Sequence, residues 1–131
     1  MTYKILRIYS IPYIHVYSNF LDEQESKNLS YCELQKEFLK KKISYSDVLS
    51  RNMKKLGNQS YEIIENFDYL QKKWAQENMS SKFDNLNNNE ILQNQIVEIK
   101  PDIIHGHGTE DAYGLCASLS KIPSVISIQG V

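Results

Sequence analysis

Four short runs rich in β-branched and aromatic residues, each separated from the next by helix-period sequence, restrict this chain to a narrow set of folds. The runs are Ile5-Leu6-Arg7-Ile8-Tyr9, Tyr61-Glu62-Ile63-Ile64, Asp102-Ile103-Ile104-His105 and Ser124-Val125-Ile126-Ser127-Ile128. Between them apolar residues recur every three or four positions, the period of a half-buried helix. Strands joined through helices cannot pair as tight hairpins. The helix must cross a sheet face, and the strands then run parallel. The fold class this dictates is α/β: a Rossmann-like, three-layer α/β/α arrangement around a parallel sheet.

Punctuation fixes the element ends. A first strand spans about 3–9 and stops at Ser10 and Pro12, because proline cannot donate to a ladder. Residues 10–29 lose the pattern and read as a loop or a short helix. Ser30 and Glu33 form a capping box, and Tyr31, Leu34 and Phe38 carry a helix from there to Lys42. A helix from Ser46 to Leu56 places Val48, Leu49, Met53 and Leu56 on one face. Gly57 supplies the left-handed residue that ends it. The second strand, near 60–65, leads to a helix marked by Phe67, Leu70 and Trp74. The Ser- and Asn-rich stretch 80–89 is a surface loop. A helix over 89–99 buries Ile91, Leu92, Gln95 or Ile96, and Ile99, and ends at Pro101. After the strand at 102–105, Gly106-His107-Gly108-Thr109 reads as a flexible turn. It opens a helix with Ala112, Leu115, Cys116 and Leu119 inward, and Pro123 introduces the last strand at 124–128.

Composition narrows the partners. The 131 residues allow one domain, and the formal net charge of −1 gives no electrostatic reason to expect nucleic acid. Cys32 and Cys116 stand alone, which excludes a disulfide framework or a paired-cysteine metal knuckle. No apolar run approaches the roughly 18 residues of a membrane span, and the first residues lack a signal-peptide core. A cytoplasmic setting is expected. An α/β domain normally adds a covering helix after a strand such as 124–128, so residues 1–131 read as a domain incomplete at its C-terminus.

In an open parallel sheet, ligands sit outside the carboxyl ends of the strands. That rule nominates Ser10 and Tyr13, Asn66, the stretch His105 to Glu110, and Gln129 with Gly130. Gly106 and Gly108 let a ligand approach the backbone closely, and Thr109 stands where helix amides would open. His107 and Glu110 put an imidazole and a carboxylate within one turn, the candidate catalytic pair. Each has a plain structural reading as well: His107 as a turn residue, Glu110 as a charge favouring a helix N-terminus. His105 reads as a packed histidine bonded to a backbone carbonyl. His105 and His107 share a face but lack a third ligand, so no metal is expected. No nucleotide fingerprint (GxGxxG or GxxxxGK) and no GxSxG nucleophile motif is present either.

The stretch from Gln95 through Lys100-Pro101-Asp102-Ile103-Ile104-His105-Gly106-His107-Gly108 resembles a segment of retaining glycosyltransferases of the GT-B fold, the group 1/family 4 class. Tyr113-Gly114-Leu115-Cys116-Ala117 and Ile122-Pro123-Ser124-Val125-Ile126-Ser127-Ile128-Gln129-Gly130 look like that family's next helix and strand. Val48 to Ile64 is similar more loosely. The resemblance implies an enzyme of two Rossmann-like halves facing across a cleft. The N-terminal half binds the acceptor; the C-terminal half binds the nucleotide-sugar donor through a Glu-x7-Glu region, without a catalytic metal. This chain would then be the acceptor-side half, inactive alone, of an enzyme moving a sugar onto a glycan or lipid-linked acceptor. A lipid-linked acceptor implies peripheral contact with the inner face of a membrane.

In such an enzyme the residues nominated by the strand-end rule, Ser10, Tyr13, Gly106, Gly108, Thr109, Gln129 and Gly130, are the candidate substrate contacts. Two positions depart from the family pattern. Ser10-Ile11-Pro12-Tyr13 stands where many members carry glycines, and Gln129 stands where many carry a histidine. Glutamine exchanges no proton at neutral pH, which leaves Gln129 a hydrogen-bonding role. The alternative is a non-catalytic α/β binding or partner module that kept the fold.

Overall fold

Leu6 and Ile8 point to one side of the first strand and Arg7 and Tyr9 to the other, and this alternation sets the layers of the molecule. The computed structural model describes residues 1–24, 28–43, 47–79, 85–108 and 120–128. In chain order the elements are β1 (Lys4–Tyr9), α1 (His15–Gln24), α2 (Tyr31–Lys40), α3 (Val48–Lys55) and β2 (Gln59–Ile64). They continue with α4 (Asp68–Asn78), α5 (Asn88–Ile99), β3 (Ile103–His107) and β4 (Ser124–Ser127). The strands form one sheet in the order β2-β1-β3-β4, and every adjacent pair is parallel. The architecture is a Rossmann-like three-layer α/β/α fold.

On one face Leu6, Ile8, Ile63 and Ile104 pack against Leu92 and Ile96 of α5. On the other, Tyr9 and Ile64 meet Tyr17 and Phe20 of α1, Leu34 and Phe38 of α2, and Phe67. The Tyr17 ring stacks on Phe67 at 4.2 Å, and Phe20 meets Phe38 edge-on at 5.1 Å. Helix α4 contacts both α2 and α5. Its Gln71 is fully buried against Gln95 of α5, and each amide donates to the other's carbonyl at 2.7 and 3.0 Å. Reciprocal pairing is what makes two buried amides tolerable.

Helix ends follow the expected chemistry. Ser30 with Glu33 and Asn87 with Glu90 both close capping boxes. Gly57 has φ +85°, its amide donates to Lys54, and the Asn58 amide donates to Met53, a Schellman termination. A Cβ at Gly57 would meet nothing within 4 Å. Gly57→Ala should therefore cost only the left-handed backbone, about 1–2 kcal/mol in urea unfolding; no measurable loss would contradict the motif.

Of the two readings of residues 10–29, the helix holds over 15–24, with Tyr17, Phe20 and Gln24 on its buried side. Three other expectations change. Helix α3 does not bury the Val48–Leu56 stripe. Val48 is 49% and Leu56 74% exposed, and Ser50 faces inward because β2 offers it a polar floor of Ser60 and Glu62. The stretch 80–89 is not all loop, since the Asn87 cap starts α5 at Asn88; residues 80–84 lie outside the described set. Gly106 and His107 are strand, not turn: β3 runs on to His107 because both neighbouring strands pair with it. The helix expected after Thr109 falls outside the described residues.

Candidate functional site

The chain leaves β1 toward one side of the sheet to make β2, then crosses back over β1 to make β3. The strand order therefore reverses between β1 and β3, and in open parallel sheets ligands bind at the carboxyl ends of such a pair. Tyr9 and His107 are register partners across that edge, with His107 also opposite Ser127 of β4.

The loop after β1 is clipped to the loop after β2. Asn66 accepts from the Ile11 amide at 3.1 Å and donates to the Ile11 carbonyl at 2.8 Å, while the Tyr17 hydroxyl donates to the same Asn66 oxygen. Ser10 Oγ donates to Glu65 at 3.4 Å, and the Ile11 side chain is buried in the aromatic core. Tyr13 lies beyond this clip, 60% exposed, with its ring edge-on to His15 at 6.2 Å.

On β3, Gly106 pairs with Ile8 and Ile126. By strand alternation it sits on the α5 side of the sheet, whereas His105 and His107 sit on the other. Gly108 takes φ +104°, and its amide donates to the Ser127 carbonyl at 2.9 Å, turning the chain out of the strand. His105 and His107 rings meet edge-to-face at 5.9 Å. His105 is half-buried and bonds the Ser127 hydroxyl through Nε2 at 2.7 Å, not the backbone carbonyl expected from sequence. Either group donates, according to the imidazole tautomer.

Behind the histidines lies a buried ion pair. Arg7 Nη1 stands 3.5 Å from Glu62 Oε2, and Ser50 Oγ donates to the other Glu62 oxygen at 2.5 Å. The Arg7 guanidinium also covers the Tyr9 ring, 4.6 Å from its centroid. Burial pushes the Glu62 carboxyl up, against the opposing pulls of Ser50 and Arg7. Burial, then the Arg7 charge, holds the His105 imidazole below the ordinary histidine range. The folded state thus favours neutral His105, while the unfolded chain takes up its proton first as pH falls. Stability should decline as pH drops from about 7 toward 5, and His105→Gln should flatten part of that decline in urea titrations. An unchanged slope would contradict the assignment.

Of the nominated residues, Ser10, His107 and Gly108 lie at the carboxyl edge, Asn66 braces the loop after β1 through Ile11, and Tyr13 stands off in solvent. Thr109, Glu110, Gln129 and Gly130 lie outside the described residues. Sequence reading passed over Arg7, Glu62 and Ser127. The signal for the first two was a charge at the middle of a β-branched run, in each of two strands. Among the described residues no three His, Cys, Asp or Glu side chains converge on a metal position, and no helix is long and apolar enough to cross a membrane. Chemically, the edge carries two imidazoles and the hydroxyls of Ser10 and Ser127, groups that can hydrogen-bond a polar ligand and move a proton.

Comparison with known proteins adds no relative: no family model matches the chain, and no curated protein or solved structure shows significant similarity to it.

Proposed function

We propose that this chain is the acceptor-side half of a sugar-transferring enzyme of the GT-B kind. The observation that carries the reading is that parallel register sets Ser10, just beyond β1, beside the end of β3, where His107 and Gly108 lie inside the segment that resembles the glycosyltransferases. In this reading the acceptor is a glycan or a lipid-linked sugar, and one of its hydroxyls lies against His107. That hydroxyl attacks the anomeric carbon of the donor sugar, the nucleotide leaves, and the hydroxyl proton is lost. His107 and Glu110 orient the hydroxyl and handle its proton. Ser10, Tyr13, Thr109, Gln129 and the glycines contribute hydrogen bonds and close backbone approach. The nucleotide-sugar donor is held by a second half that supplies the Glu-x7-Glu region.

The reading of a non-catalytic module draws on one observation: the loop after β1 lacks glycines and is pinned by Asn66. Sequencing the DNA that follows codon 131 separates the two. An open frame encoding Glu-x7-Glu supports the enzyme half, and a stop without such a frame supports the module.

A further inference from the structure

A groove of about 1120 Å³ follows the outer edge of β2, lined by that strand and by residues of α2, α3, α4 and α5. None of its lining residues lies at the carboxyl ends of β1 and β3.

The backbone direction of β2 sets what the groove can bind. The Gln59 amide donates to Tyr3 and the Glu65 amide to Tyr9, so the odd-numbered residues of β2 turn their peptide groups toward β1. Ser60 and Glu62 therefore turn theirs outward, into the groove. The Glu62 carbonyl confirms the direction, since it accepts from Gln35 Nε2 of α2 at 2.8 Å. The amides of Ser60 and Glu62 and the Ser60 carbonyl have no hydrogen-bond partner among the described residues. This is an edge able to pair with one more strand.

The charges along the groove decide which strand. Its acids are engaged within the chain: Asp47 with Arg51, Glu62 with Arg7 and Ser50, and Glu77 with the Tyr31 amide. Lys36, Lys42 and Lys54 are exposed lining residues that form no ion pair among the described residues. The rim is left net positive.

We propose that β2 is a docking edge for an extended acidic peptide of a partner protein, which joins the sheet as a fifth strand. The peptide backbone meets the outward groups of Ser60 and Glu62 and displaces the Gln35 amide from the Glu62 carbonyl. Its carboxylates reach Lys36, Lys42 and Lys54, so that main-chain pairing gives affinity and charge gives selectivity.

The test is an amide-resolved NMR titration of the full chain with an acetylated, amidated (Val-Glu)4 peptide. Two controls accompany it: (Val-Lys)4, and (Val-Glu)4 methylated on alternate backbone nitrogens. The acidic peptide should shift the Ser60 and Glu62 amides and slow their hydrogen exchange, and both controls should fail to do so. The K36E/K54E double variant, changed only at exposed side chains, should weaken binding about tenfold. Equal binding of (Val-Lys)4, equal binding of the methylated peptide, shifts confined to another surface, or no shifts at millimolar peptide would each overturn the proposal.

Discussion

Arg7→Ala should destabilise the fold by about 3–5 kcal/mol, because it strands a buried carboxylate. Arg7 and Glu62 are 3% and 7% exposed, on adjacent strands and in direct register. Ser50 alone would remain to hold the Glu62 charge. Glu62 already titrates high through burial, and losing the guanidinium would raise it further. A raised carboxyl gives stability that is present at low pH and lost as pH climbs through the folded-state value. The deficit of Arg7→Ala should therefore be larger at about pH 7 than at about pH 5. The pair R7M/E62L should recover most of the loss, since a well-packed apolar pair removes both charges together. Urea unfolding of the single and double variants at the two pH values checks this. A double variant as unstable as Arg7→Ala would show that the ion pair is not the cause. The same substitution should raise the His105 pKa, because the Arg7 charge now lowers it.

The second large effect concerns chemistry. In an enzyme assembled with its donor half, His107→Ala should lower sugar transfer by about 100-fold or more, the scale of a lost acid–base group. Its effect on unfolding should stay within about 1 kcal/mol, because His107 is only half-buried at the end of β3. His105→Ala removes the bond to Ser127 and should cost about 1 kcal/mol, the scale of one side-chain hydrogen bond. That is less than the large-to-small core penalty that a fully packed histidine would imply. Steady-state rates and urea midpoints for both variants provide the check. An unfolded His107→Ala, or full activity in it, would contradict the site.

Much of the architecture was legible in the residues because local chemistry agreed with the tertiary outcome. The Ser30–Glu33 box, the Gly57 stop and the four β-branched runs each point to one structure, and the parallel sheet follows from their alternation. Helix α1 could only be left open between loop and helix, because Ser18, Asn19, Asp22 and Glu23 interrupt its apolar spacing and no capping residue announces it. It is helical because Tyr17 and Phe20 dock on Phe38 and Phe67, contacts made far along the chain. Ser50 was hidden for a related reason: the apolar stripe of α3 looked inward until β2 placed Glu62 beneath the helix. At the site, the glycines at 106 and 108 suggested a turn, yet two neighbouring strands pair with Gly106 and His107 and keep them extended. Pairing partners are tertiary information that periodicity cannot carry. Ser127 went unnoticed because a serine in a strand has no signal until register brings it within reach of His105 on the adjacent strand.

In the proposed enzyme the carboxyl edge of β1 and β3 is an acceptor site rather than a nucleotide site. Amide-resolved NMR titration of the isolated chain with methyl glucoside and, separately, UDP-glucose tests that directly. Methyl glucoside at high concentration should shift the amides of Ser10, Ile11, His107 and Gly108, and UDP-glucose in the micromolar range should shift none. Micromolar binding of UDP-glucose, or saccharide shifts confined to residues away from that edge, would contradict it.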